Sequence, residues 1–184
     1  MIVPDETATA AQRDLRSLND AEVGEVLVGW GHKSYRTRQL LDWVYKKRVC
    51  TFDEMTDLSQ ELRAQLPEAF RLQSLECARE QVSSDGTVKF LWRLADGEFI
   101  ESVLIPAAVG QDGKRSDRHT LCVSTQVGCP VACPFCASGL AGLVRNLKAH
   151  EILEQFLRGM EVGPIGRAVV MGSGEPLLNY KEVR

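Results

Sequence analysis

The chain has 184 residues and a formal charge of −3, with 44% hydrophobic and 26% charged residues. Such a composition supplies apolar material for one core or two small ones. It excludes a global basic field, so any nucleic-acid contact must come from a local patch. No apolar run reaches about 18 residues, which argues against a membrane helix or a membrane partner.

The start, MIVPDETATAAQRDL, has neither the basic nor the apolar region of a secretory signal, and residues 1–14 read as a disordered lead. Residues 15–70 read as a small helical domain. SLNDAEVGEVLVGWG offers polar N-caps and closes on Gly31. SYRTRQLLDWVYKKRV puts Leu40, Leu41, Val44 and Tyr45 on one helical face. TFDE pairs Thr51 with Glu54 as a capping box, and SQELRAQLPEAF presents Leu62 and Leu66 before Pro67 closes it. Lys33, Arg36, Arg38, Lys46, Lys47 and Arg48 surround the second helix with only Asp42 against them. They form either a solvated face or a phosphate-contacting patch. Tyr35 and Trp43 lie among them, Trp43 as core or as a stacking platform.

From residue 71 the pattern changes to strands. LQSLECAREQV, TVKFLWRL and EFIESVLIP are separated by the turn signals SSDG and ADG, predicting an antiparallel β extension over 71–119 that ends in a polar loop, AAVGQDGKRSDRH. From Thr120, TLCVST reads as an apolar strand, followed by a cysteine loop. Asn146 then caps a helix burying Ile152, Leu153, Phe156 and Leu157, and RAVVMG is a second buried strand ending in GSGEP. This is a βαβ unit, whose parallel strands should be apolar on both faces. Asn179 reads as the N-cap of a further helix begun by YKEVR. Two parallel strands bury too little to stand alone, so residues 120–184 read as the start of a longer α/β domain and the chain as a fragment.

Of six cysteines, Cys129, Cys133 and Cys136 crowd into VGCPVACPFCASG with the spacing C-x3-C-x2-C. The absence of a signal and the crowding favour metal or cluster binding in a reducing cytoplasm over disulfides. A structural zinc site wants four ligands, and Cys122, His119 and His150 are candidates for a fourth. The other reading is a four-iron cluster with three thiolates, leaving one iron open to the amine and carboxylate of S-adenosylmethionine. Phe135 would then pack on the adenine side. Gly172 and Gly174 would let backbone approach the cofactor, and Glu175 would accept from its ammonium group.

TLCVSTQVGCPVACPFCASG, RNLKAHEILEQ and VVMGSGEPLLNY closely resemble the RlmN/Cfr family of radical S-adenosylmethionine RNA methyltransferases, the RlmN branch more than the other; YRTRQLLDWVYKK and ESVLIP extend the likeness. The resemblance implies a partial (β/α)6 barrel with an N-terminal helical RNA-binding domain and a β extension. It implies a [4Fe-4S] cluster on Cys129, Cys133 and Cys136, with Gly174 and Glu175 binding S-adenosylmethionine. Glu101 matches the proton acceptor. Cys122 matches the cysteine that releases product by forming a disulfide with a methyl-carrying cysteine, itself in the C-terminal part beyond Arg184. The implied substrates are adenine C2 of 23S rRNA and tRNA, or C8 in the Cfr branch. An electron donor such as flavodoxin, a cytoplasmic location and a monomeric full-length enzyme are also implied. The 184 residues alone are then expected to be inactive. A zinc-stabilised RNA-binding module without catalysis is the alternative of a different class. The chain departs from the family in Ser173, where Met is usual, and in a longer loop from Pro106 to His119. Cys50 and Cys77 match nothing in it and read as structural.

Overall fold

The computed structural model describes residues 12–110, 113 and 116–184. The disordered lead expected over 1–14 therefore lies outside the described residues except for its last three, of which Arg13 and Asp14 are held in a strand instead. The chain divides into two compact units, residues 1–73 and 74–184.

In the first unit Arg13–Asp14 (β1) pairs in parallel with Phe70–Arg71 (β2). The Asp14 carboxylate caps a short 3-10 turn at Leu15–Ser17 and takes the guanidinium of Arg16 at 3.0 and 2.8 Å, a buried pair with its hydrogen bonds made. Three helices follow: α1 at Asp20–Gly29, α2 at Tyr35–Asp42 and α3 at Gln60–Ala69. Asn19 and Glu22 close a reciprocal capping box at the start of α1, and Gly31, at φ 85°, ends it as the sequence suggests. Val23, Leu27, Leu40, Leu41, Val44, Leu62 and Leu66 meet in the core with Met55 and Phe70.

Two details differ from the sequence reading. After Asp42 the helix widens into a π turn over Trp43–Lys47, ending at Arg48 in the left-handed conformation. The extra residue in that turn carries Tyr45 off the buried face, leaving it 39% exposed while Val44 stays inside. Pro67 does not close α3 but lies inside it. Only one helical hydrogen bond is lost so near the end, and Leu66 on the core side holds the turn in place.

In the second unit Leu75–Val82 (β3), Val88–Leu94 (β4) and Phe99–Pro106 (β5) form the expected antiparallel meander, with Gly86 and Gly97 at φ 88° in its turns. His119–Cys122 (β6) then pairs antiparallel with β5. Gln126–Gly128 (β7) and Leu143–Asn146 (β8) make a separate hairpin. Ala149–Val162 (α4) crosses to Ile165–Val169 (β9), which lies parallel to β6. A 3-10 turn at Pro176–Asn179 and the short Tyr180–Val183 (α5) follow.

The meander and the βα unit thus share one five-stranded sheet, ordered β3-β4-β5-β6-β9. Three antiparallel strands shoulder the parallel pair, so it does not rely on its own burial. One face carries Phe90, Trp92, Ile100, Leu104 and Leu121 into the core with Ile152 of α4. The expectation that β9 is apolar and buried on both faces fails: Gly166, Arg167 and Ala168 are exposed, because β9 is the sheet edge with a neighbour on one side only. On α4, Ile152 is buried, whereas Leu153, Phe156 and Leu157 are half-buried; Glu151, Glu154 and Gln155 take the interior positions instead. The helix starts at Ala149 after Lys148 rather than at Asn146, which is held as the last residue of β8.

Candidate active site

Beyond Cys122 the chain leaves the sheet as an irregular segment, Val123 to Thr125, which with Gln126 at the start of β7 is almost wholly buried. Buried backbone in no regular element needs other partners, and each group here has one. Val123 N–H donates to Val169 O at 3.0 Å, and Gly172 N–H to Val123 O at 3.0 Å. Gln155 of α4 accepts from Ser124 N–H at 2.9 Å and donates to Ser124 O at 3.0 Å, acting as a missing strand. Thr125 and Gln126 N–H both donate to Ser173 O, at 2.9 and 3.1 Å. Thr125 O accepts from Leu147 N–H and from Asn179 Nδ2, each at 2.9 Å. Asn179 does precede α5, but its side chain caps nothing; it donates to Thr125 O and Leu147 O.

The segment's partner is the loop Gly172–Glu175. Its glycines are required by contact with protein: a Cβ on Gly172 would stand 2.7 Å from Val123 O and Ser124 Oγ. One on Gly174, which sits at φ 111°, would stand 2.8 Å from Thr125 Oγ1. Ser173 N–H donates to Ser124 Oγ at 2.9 Å, and that hydroxyl donates to Glu101 O at 2.5 Å. Glu175 N–H donates to Gln126 Oε1 at 2.8 Å, while its own carboxylate accepts from Leu177 N–H at 3.1 Å. Ser124, Gln126, Gln155 and Asn179 thus organise the site, a role the sequence reading gave to none of them. The available signal was a set of polar residues in and beside a strand read as apolar.

The cysteine loop hangs from the β7–β8 hairpin. Gly128, at φ 74°, passes so close to Gly142 that a Cβ would fall onto its carbonyl oxygen; Cys129 N–H donates to that same oxygen at 3.0 Å. Ala132 takes the left-handed conformation, at φ 51°, and a Cβ on Gly139 would stand 2.8 Å from its Cα. Cys136 N–H turns back to Cys133 O at 3.0 Å. Arg145 of β8 ties the hairpin down, donating to Glu151 at 2.8 and 2.9 Å and to Asp96 at 2.5 Å.

Cys129, Cys133 and Cys136 are free and half-exposed. The N–H and hydroxyl of Ser138 lower the Cys136 thiol below its ordinary range. Among the described residues no three His, Cys, Asp or Glu side chains are gathered as a ready-made metal site. The three thiols therefore share one loop without converging on a point. As a donor set they fit an iron–sulfur cluster: thiols alone, none in a disulfide, on a loop anchored at both ends. Phe135 beside them is 90% exposed.

Glu101 and Cys122 share the sheet face opposite α4. Cys122 pairs with Val103, and Glu101 is two residues back on the same side of β5. The Glu101 carboxylate accepts from Lys89 Nζ at 3.0 Å. Burial raises the Cys122 thiol, with Met171 N–H pulling the other way. The strand alternation thus brings these two candidates to one face, and the C-terminal ends of β6 and β9 bring the cysteine loop and Gly172–Glu175 together. Cys77 is exposed beside a bulge in β3, and Cys50 is half-buried in the helical unit.

The basic patch is more neutralised than its sequence suggests. Lys46 pairs with Asp42 at 2.8 Å, and Lys47 lies 3.2 Å from the Trp43 ring centroid and 3.8 Å from Asp57. Trp43 Nε1 donates to Asp57, an acid the sequence reading left out, and Arg36 donates to its carbonyl.

This sheet, with a cysteine hairpin at its strand ends, has the fold of a radical SAM methyltransferase of known structure. It superposes on the crystal structure of a radical SAM methyltransferase from Sphaerobacter thermophilus with a TM-score of 0.81 and 39% identity, over 93% of this chain and 50% of that one. Residues 13–72 match the ribosomal RNA large subunit methyltransferase N-terminal domain. The dual-specificity RNA methyltransferase RlmN of Anaeromyxobacter dehalogenans is 43% identical over 181 residues, covering 93% of this chain and 46% of that protein. A probable RlmN of Thermotoga neapolitana is 47% identical over 172 residues, covering 92% and 48%. The chain belongs to the RlmN family, and it spans about half the length of the curated relatives it matches. No described helix is long and apolar enough to cross a membrane.

Proposed function

We propose that this chain is part of a radical S-adenosylmethionine RNA methyltransferase acting on adenine C2 of 23S rRNA and tRNA. The observation that carries the reading is the placement of three free thiols, Cys129, Cys133 and Cys136, on a loop whose Ser138 hydroxyl lies 3.5 Å from that of Ser173 in the Gly172–Glu175 loop, beyond the ends of two parallel strands. Ligands of open parallel sheets bind at such strand ends.

Cys129, Cys133 and Cys136 would hold the [4Fe-4S] cluster, which supplies one electron for cleavage of S-adenosylmethionine to a 5′-deoxyadenosyl radical. The chain's own residues do the rest of what is assigned to this half. Gly174 and Glu175 bind the cofactor: Glu175 offers a carboxylate, and Gly174 sets the loop that aims it. Glu101 takes the adenine ring proton. Its carboxylate is held by the Lys89 ammonium, and its backbone is tied through Ser124 to the cofactor loop. Cys122 releases the product as a disulfide partner of the methyl-carrying cysteine. All six cysteines here are free thiols. An electron donor such as flavodoxin would complete the cycle.

Anaerobic reconstitution with iron and sulfide tests the reading. It should give about four irons and four sulfides per chain. Replacing Cys129, Cys133 or Cys136 by Ala should abolish incorporation, and Cys50→Ala should leave it intact. Stoichiometric zinc without sulfide would sink the proposal in favour of a non-catalytic module. In a full-length enzyme, mass spectrometry of the modified adenine separates C2 from the Cfr-type C8 product.

A further inference from the structure

At the opposite ends of β6 and β9 lies a pocket of about 460 Å³, lined among others by Ser116, Arg118, His119, Thr120, Gly166 and Arg167. We propose that this pocket, where Arg118, His119 and Arg167 meet at the start of β6 and β9, is a phosphate site that grips the backbone of the RNA substrate. It rests on the functional reading above for the identity of the polyanion.

Three observations carry it. The lining, among the described residues, holds two guanidiniums, an imidazole and the Ser116 hydroxyl, and no acid. Among the described residues neither guanidinium has a hydrogen bond or ion pair, whereas Arg145 and Arg16 in this chain are both fully engaged. Exposed guanidinium forks without acid partners suit a phosphate's paired oxygens.

Second, the pocket is built. A Cβ on Gly166 would stand 2.9 Å from Arg118 Cβ and Cδ, and one on Gly163 would stand 2.7 Å from His119 Cε1. Neither glycine has a positive φ, so the need is for room: the two basic side chains lie flat on glycine backbone. His119 Nδ1 faces Pro164 O at 3.4 Å, which orients the ring.

Third, the pocket is in line with the candidate active site. Thr120 pairs with Arg167 and Cys122 with Val169, so Arg167 and Cys122 share a sheet face two residues apart, about 7 Å along the strands. A backbone phosphate on Arg167 would pass beside the face that carries Cys122 and Glu101. Arg118 and Arg167 are exposed, so water competes well with a small free anion; a polyanion gains from counterion release instead.

The test is fluorescence anisotropy of the reconstituted chain with a labelled RNA stem–loop, titrated between about 50 and 200 mM salt. The Arg118→Gln/Arg167→Gln double variant should bind about tenfold more weakly at low salt, with the slope of log affinity against log salt reduced by about 1 to 2. Gly166→Ala, which keeps every charge but displaces Arg118, should also weaken binding, by less. Wild-type affinity and slope in both variants would overturn the pocket while leaving the methyltransferase reading in place. A wild-type chain that binds no RNA at all would overturn both. Tight saturation of the wild type by inorganic phosphate, with RNA binding unchanged in the variants, would assign the pocket to a free anion and overturn the RNA contact.

Discussion

The two units solve different packing problems. In residues 12–73 the interior is aliphatic and aromatic, and its regular helices satisfy their own backbone. Its buried polar side chains include the Asp14–Arg16 pair, closed within three residues, and Thr37 of α2. In residues 74–184 the apolar core is interrupted by single buried polar residues such as Ser74 and Ser102, and just past Val123 a polar group, Ser124, Thr125, Gln126, Gln155 and Asn179, is buried beside it. That group lies where the chain leaves the sheet. Apolar packing holds elements whose hydrogen bonds are already made. It cannot hold an irregular segment, because stripping water from open N–H and C=O groups costs more than the burial returns. The candidate active site is such a segment, and its rigidity comes from side-chain amides standing in for missing strands.

The comparison is broken or sharpened by perturbing each kind of interior. Leu62→Ala, at a fully buried position of the helical unit, should cost about 2 to 5 kcal/mol. Hydrogen exchange should show the loss in α1–α3 and spare the β3–β6 amides; uniform loss would show that the two units unfold as one. Gln155→Leu keeps α4 packed but orphans Ser124 N–H and C=O. Its cost should be about 2 to 3 kcal/mol, with faster exchange at residues 124–126. A neutral Gln155→Leu would mean that the polar interior is not what holds the segment.

Asn19→Ala removes the reciprocal cap of α1 and should cost about 1 kcal/mol, read by thermal unfolding and confined to the helical unit. The smallest effect is on a thiol. Cys136 is lowered by the Ser138 N–H and hydroxyl and Cys122 is raised by burial, so as pH rises the thiolate forms first at Cys136 and later at Cys122. Iodoacetamide labelling of the cluster-free chain should follow that order. Ser138→Ala should move the Cys136 profile to higher pH and leave Cys122 unmoved.

Much was legible from local pattern. The meander and its turns read directly from strand alternation and from SSDG and ADG, and α1 from its cap and Gly31. The cysteine spacing and GSGEP are motifs because their residues are close in sequence, and the family likeness rests on the same contiguous stretches. Period and spacing are properties of the chain itself, so no knowledge of contacts is needed to read them.

What only the tertiary structure decided depends on residues far apart in the chain. That β9 is an exposed edge follows from its having one neighbour, a fact of sheet order. That Glu151, Glu154 and Gln155 face inward on α4 runs against their hydropathy. It is set by partners such as Arg145, Ser74 and Ser124, which lie 6 to 80 positions away. The glycines of GSGEP looked like room for a cofactor, yet the room they make is taken by Val123, Ser124 and Thr125. The pocket of Arg118 and Arg167 joins residues 49 positions apart whose charges have no local pattern. A side chain's burial and charge state are fixed by whatever folding brings beside it, and a one-dimensional pattern holds that information only when the neighbour is also near in sequence.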